Sequence, residues 1–364
     1  MDGNSYLKVA PAKDRALWEY RIAAAALRRG QFDEAKAKLD DALALAASNY
    51  GNANKEAAKS RHMFSSESDK PFVGEPYERV MANYYRGILY WRDGEPDNAR
   101  ALFRTGQLLD SDTEDKTYAG DYVLLDYLDG FVSAKLGGDG ADALARARAN
   151  AKTQGRAKLP DYNAKANVML FVEYGRGPRK YSGGEYGEQL KFYTEQSKIR
   201  SARIGVDGHY TALPPYDDIN FQATTRGGRL MDHVLGNKAV FKETTDVVGN
   251  VALVGAMVAA EHGGRDADRA ALGLAAVGVI SKIASAATTP AADIRSWDNL
   301  PQRLSFAALQ LSPGDHPAVL EFLDANGQIA ESLTQRFTIS VPAEGGGVNG
   351  STPDVVLFLS DLKN

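Results

Sequence analysis

Five histidines, His62, His209, His233, His262 and His316, are the side chains best suited to bind a metal or move a proton near neutral pH. No two of them have the two-histidine helical spacing of a zinc hydrolase. The chain has no cysteine, which removes disulfides, thiolate nucleophiles, iron–sulfur clusters and cysteine-ligated zinc. Neither a phosphate-cradling Gly-x-x-x-x-Gly-Lys-Ser/Thr loop nor a Gly-x-Ser-x-Gly elbow is present. The glycine-rich stretch Gly175 to Gly187 lacks a following helix at the right spacing and reads as a turn. The paired acids Asp40-Asp41 and Asp217-Asp218 could hold a metal or shuttle protons. Adjacent side chains diverge on a helix or strand, so both pairs read as solvated surface. These residues predict a non-enzyme with no metal and no cofactor.

One cluster is richer. Arg61, His62, Phe64, Lys70, Phe72, Glu75, Tyr77, Arg79, Tyr84 and Arg86 interleave cations with aromatic rings. Flat rings and arginine dominate binding hot spots, so these are the candidate partner-binding residues. The same mixture occurs where a helical repeat pins its own insertion, and that reading stays open beside the first.

The elements that carry the cluster are helical. Over 14–150, Ala, Leu, Arg, Lys and Glu predominate, and Gly30, Gly94 and Gly137-Gly138 break the run. From Gly30, Gly94 and Gly138, five residues on lie Ala35, Ala99 and Ala143, and nine on lie Leu39, Phe103 and Ala147. Seven before lie Ala23, Gly87 and Phe131, and twelve on lie Ala42, Gly106 and Asn150. Small residues where two helices cross and a larger one facing the next hairpin are the spacing of a tetratricopeptide repeat. The third copy departs from it at Phe131 and Asn150. An insertion over about 48–75 separates the first two hairpins, and its Phe64 and Phe72 predict that it packs on them.

Past residue 163 the pattern changes. Val168–Val172 reads as a buried strand, and Ile204–Val206 and Ile219–Ala223 read as further strands. Val247–Ala260 and Ala270–Ser281 are uncharged Ala/Gly-rich segments, each shorter than the ~18 apolar residues of a membrane span. They read as a helical hairpin within 238–289, either core or a contact with lipid or a second copy. Residues 293–364 read as an antiparallel meander with an Asn326-Gly327 turn and a Gly-rich loop over Glu344–Thr352. The expected fold is α+β. A short extension (1–13) precedes a TPR-like α-solenoid (14–163), and a β-rich, sandwich-like domain (164–364) carries the helical hairpin.

The run Lys59–Asp110, with Gly74-Glu75-Pro76-Tyr77-Glu78-Arg79 and Tyr84-Tyr85-Arg86-Gly87-Ile88-Leu89-Tyr90-Trp91, resembles a family of uncharacterised bacterial tetratricopeptide proteins, often predicted envelope lipoproteins. Asp293-Ile294-Arg295-Ser296-Trp297-Asp298-Asn299-Leu300-Pro301 is similar to the same family's C-terminal part. The resemblance implies a helical-repeat domain followed by a β-rich one, in the periplasm or at the outer membrane. The start Met1-Asp2-Gly3-Asn4 lacks a secretory signal, so the alternative expectation is the cytoplasm.

A net charge of −4 and a pI near 5.8 argue against a nucleic-acid partner. The function these readings point to is a scaffold or adaptor for a protein or peptide partner. The alternative is an envelope component whose Ala/Gly hairpin contacts membrane peripherally or drives homo-oligomerisation.

Overall fold

Gly30, Gly94 and Gly137 all take positive φ, at 72°, 81° and 78°. After each, the next amide reaches back to the helix behind it: Gln31 to the Ala26 carbonyl, Glu95 to Tyr90 and Gly138 to Ser133. This is the left-handed turn that glycine adopts without a steric penalty, and it reverses the chain. The computed structural model describes residues 3–57, 70–111, 122–183, 189–195, 197–225, 292–343 and 353–362. Arg61, His62, Phe64, His233, His262, the Ala/Gly-rich hairpin and the Gly-rich loop over 344–352 lie outside the described residues.

The three turns join α2 (Arg15–Arg28) to α3 (Phe32–Ala57), α4 (Pro76–Arg92) to α5 (Pro96–Asp110) and α6 (Val123–Lys135) to α7 (Ala141–Thr153). A short α1 (Gly3–Leu7) precedes them and folds back, with Tyr6 and Trp18 ring centres 4.2 Å apart. The equivalent glycine of the third turn is Gly137, so the sequence-derived origin at Gly138 is corrected by one residue for α6. Seven residues before Gly137 stands Gly130, which matches Ala23 and Gly87, and Phe131 is no exception to the pattern. Buried Ala143 and Ala147 keep their spacing from Gly138, because the third turn is one residue longer. The close crossings need these small residues. A Cβ on Gly87 would stand 2.6 Å from the Phe103 ring, and one on Gly130 would stand 2.8 Å from the Leu144 amide nitrogen.

Two four-stranded sheets follow. The first has the order β10-β1-β7-β6, with β1 (Val168–Arg176), β6 (Asp217–Asp218), β7 (Pro301–Leu309) and β10 (Val355–Ser360). The second is antiparallel, β5-β4-β8-β9, with β4 (Ile199–Val206), β5 (His209–Leu213), β8 (Gly314–Asp324) and β9 (Gln335–Val341). A two-stranded ribbon of β2 (Arg179–Gly183) and β3 (Gln189–Tyr193) stands apart from both. The Asn326-Gly327 turn forms as expected, with Gly327 at φ 75°. The expected meander is reduced to the β8–β9 hairpin, because β7 lies in the first sheet. β10 leaves for the first sheet and pairs parallel with β1, Val168 opposite Val355.

Ile219–Thr225 is a helix, α8, and not the strand its apolar run suggested. Asp218 Oδ1 accepts the amides of Asn220 and Phe221 at 2.9 and 3.2 Å. That cap satisfies the first-turn donors and favours helix. Asp217 is also no surface residue. It is fully buried and accepts the Val123 and Leu124 amides at 2.8 and 2.9 Å, closing the start of α6.

Strand β1 is buried on both faces, as a run of apolar residues with period two on each side requires. Val168, Leu170, Val172 and Tyr174 join residues of β4, β5, β8 and β9 in one apolar core. Met169 and Phe171 join the helices in another, which runs from Ala16 to Val356. Apolar residues from both sides of residue 163 therefore share one core. Among the described residues no helix is long and apolar enough to cross a membrane.

Candidate functional site

The cluster singled out in the sequence sits on α4 and the residues before it. Glu75 and Glu78 form a reciprocal capping box, and Pro76 begins the helix. Helix α4 is buried along almost its whole length because it lies between α3, α5 and the first sheet. Of the two readings the sequence left open, the described residues fit the one in which the chain pins itself. Phe72, Glu75, Tyr77, Arg79, Tyr84 and Arg86 are all buried, and Lys70 is half-buried. A side chain without solvent access has no face to offer a partner.

What covers them is the chain itself. The segment 292–300 lies across the helices, with Trp297 stacked on Tyr20 at 4.6 Å and meeting Tyr85 edge-on at 5.9 Å. Glu78 holds it from below. One carboxylate oxygen accepts the Trp297 amide at 2.7 Å, and the other accepts Lys180 Nζ at 2.6 Å and the Glu75 amide at 2.7 Å. Lys180 also donates to the Arg295 carbonyl and stands 3.4 Å from Glu75, and its side chain is only 2 % exposed. Arg295 reaches Asp14 at 2.7 Å, Asp293 at 2.6 Å and the Lys70 carbonyl at 2.9 Å. Phe72 is fixed through its backbone, donating to the Lys13 carbonyl and accepting from Asn49. Arg86 clamps Asp40 with two bonds, at 2.7 and 3.1 Å, and lies over the Tyr90 ring. Residues 70–86 and 292–300 are thus each other's packing partners.

A second buried polar cluster lies where the helices meet β1. Glu173 Oε1 accepts Arg28 Nε at 2.6 Å and Ser360 Oγ at 2.8 Å, and Oε2 accepts the Tyr85 hydroxyl. Burial and the Glu173 charge push the Tyr85 hydroxyl well above the usual tyrosine range. Burial alone would lower the Arg28 guanidinium, but Glu173 and Tyr85 outweigh it and raise it. Next to this group the Asp361 carboxylate accepts the Gly175 amide at 3.0 Å. Burial lifts the Asp361 pKa to about 6, against the lowering effect of that amide. With both Glu173 oxygens held by donors, the cluster binds helix to sheet.

One cleft opens beside the 292–300 segment. It measures about 350 Å³ and is lined by Tyr6, Trp18, Arg21, Arg179, Ile294 and Asp298 among others. Arg21 lies over the Trp18 ring at 4.7 Å and pairs with Asp298 at 2.9 Å. Of the histidines, His209 is exposed on β5, and His316 pairs with Asp207. Among the described residues no group of three or more His, Asp or Glu could hold a metal ion.

Sequence reasoning missed Glu173, Arg28 and Lys180, because their partners lie 88 to 187 residues away. Arg179, Tyr181, Lys191 and Tyr193 carried a readable signal, a cation and a ring two apart on each of two adjoining strands. No family model matches the chain, and neither a curated protein nor a solved structure does.

Proposed function

We propose that this chain is a non-catalytic scaffold that binds protein partners and is built on tetratricopeptide-type hairpins. The observation that carries the reading is the use made of the inner helices. Tyr84 and Tyr85 of α4 and Tyr127 of α6 meet Phe171, Phe358 and Phe306 of the first sheet, and Arg28 of α2 meets Glu173. The face that a free-standing repeat offers to a peptide is filled by the chain's own sheet. The two halves act as one rigid frame, and partners are met on its outside. The buried charges support the same reading, since Glu78, Lys180 and Glu173 are committed to bonds that fix the frame.

The placement in a bacterial envelope assembly rests on the family resemblance alone. The test is in-cell crosslinking of the full chain, followed by mass spectrometry and reconstitution with the recovered protein. A partner that binds the purified chain in solution is the expected outcome. A chain that stays a monodisperse, inert monomer and crosslinks to nothing sinks the proposal.

A further inference from the structure

The β2–β3 ribbon presents two unlike faces. Register places Lys180 opposite Phe192 on the inner face, where Lys180 enters the Glu75–Glu78 pair and Phe192 meets Tyr77 edge-on at 5.9 Å. On the outer face Arg179 stands opposite Tyr193, and Tyr181 opposite Lys191. All four are exposed, Tyr181 by 47 % and Tyr193 by 59 %. Gly183 completes this face, and its missing side chain leaves the space that the Lys191 stem occupies. Neither Arg179 nor Lys191 has an acidic partner among the described residues, and within 179–183 and 189–193 the face carries no carboxylate, Glu195 following two residues beyond Tyr193.

Arg179 also lines the cleft beside it. There Ile294 is 49 % exposed and Tyr6 43 % exposed, and Trp18 is half-buried. The cleft's acids are already taken, Asp14 by Arg295 and Asp298 by Arg21. Among the described residues of ribbon and cleft, Arg179 and Lys191 are therefore the unmatched cations, and aromatic and aliphatic surface lies beside them.

We propose that the outer face of the β2–β3 ribbon, together with the adjoining cleft, docks an acidic polypeptide segment that carries apolar side chains. The inference rests on the scaffold reading and names its surface. Cation and ring alternate with a spacing of two residues, roughly 7 Å along a strand, which matches the side-chain repeat of an extended peptide. Arginine and tyrosine are the residue types that dominate such interfaces, because they bury area at little entropic cost and add directed bonds. The cleft gives the surface a concave end, which a peptide side chain can enter and a flat lipid surface cannot follow. Charge on both sides also makes the encounter fast and salt-sensitive.

Trp91 and Trp297 are buried, so Trp18 is the fluorophore that a ligand in the cleft would perturb. The experiment titrates the full chain with a Glu–Tyr copolymer, with poly-lysine as control, and follows tryptophan emission at low and high salt. Saturable binding that weakens with salt is expected. It should weaken at least ~10-fold in Arg179→Ala/Lys191→Ala and in Tyr181→Ser/Tyr193→Ser, while Arg336→Ala on β9 stays at the wild-type level. The substituted residues are exposed, and unchanged thermal unfolding shows that the fold is kept. Copolymer binding that ignores both double variants overturns the proposal. So does flotation on phosphatidylglycerol vesicles with no copolymer binding, or self-association that the double variants abolish. A natural partner that still binds the Arg179→Ala/Lys191→Ala variant sinks this surface and leaves the scaffold reading standing.

Discussion

The two faces of strand β1 meet very different surroundings. Toward the second sheet, Val168, Leu170, Val172 and Tyr174 enter a core of aliphatic and aromatic side chains. Toward the helices, Met169 and Phe171 are followed by Glu173, which is saturated by Arg28, Tyr85 and Ser360. An apolar core of the right volume tolerates many arrangements. A buried carboxylate with three donors tolerates one, because a shift of the helices would strand a charge away from water. The contrast shows how the helical half is held in a single orientation on the sheet. The segment 292–300 repeats the device from the other side, with Glu78 on the helix and its donors on the strand side.

The largest test of this contrast is Glu173→Ala. It leaves the Arg28 guanidinium buried without its carboxylate, and the expected loss is about 3–5 kcal/mol by chemical denaturation. Replacing both partners, as Arg28→Met with Glu173→Leu, should return most of that stability. If the single and double variants lose the same amount, charge pairing is not what holds the seam.

Asp361 gives an intermediate effect with a defined sign. Its folded pKa of about 6 lies above the ordinary 3.8, so the native state holds the proton more tightly than the unfolded chain. This contribution is fully present below the unfolded pKa and is lost as pH rises through the folded one. Between pH 4 and 6 the wild type should therefore lose stability relative to Asp361→Asn, by on the order of 2 kcal/mol. Parallel stability curves for the two proteins would show that the carboxylate does not titrate in that window. The smallest effect belongs to the apolar side of β1, where Ile204→Val should cost about 1 kcal/mol at any pH. A pH-dependent cost there would blur the line between the two faces.

Much of the frame could be read from the sequence, and the reasons are local. Gly30 and Gly94 mark turns that only glycine makes easily, and the alanines at fixed distance mark helix crossings. Val168–Val172 read as a buried strand because its apolar residues have no polar alternation. The third hairpin slipped by one because Gly137 and Gly138 are adjacent and only φ distinguishes them. Ile219–Ala223 misread because five apolar and amide residues fit either period, and the deciding bond comes from Asp218. The charged cluster on α4 left two readings open for a different reason. A charge in sequence is assigned to the surface by default, and only a partner can bury it. For Glu78 those partners are Lys180 and Trp297, 102 and 219 residues away.

The parallel pairing of β1 with β10 has a consequence in time. Ser360 lies 187 residues after Glu173. At bacterial and eukaryotic synthesis rates that interval is roughly 10–40 s. Throughout it the helical hairpins exist without the strand that completes their sheet, and Tyr85 lacks its contact with Phe358. The nascent chain therefore passes through a stage that is sticky by construction. The ribosome finishes the outer parts of the molecule's seam first and its keystone last.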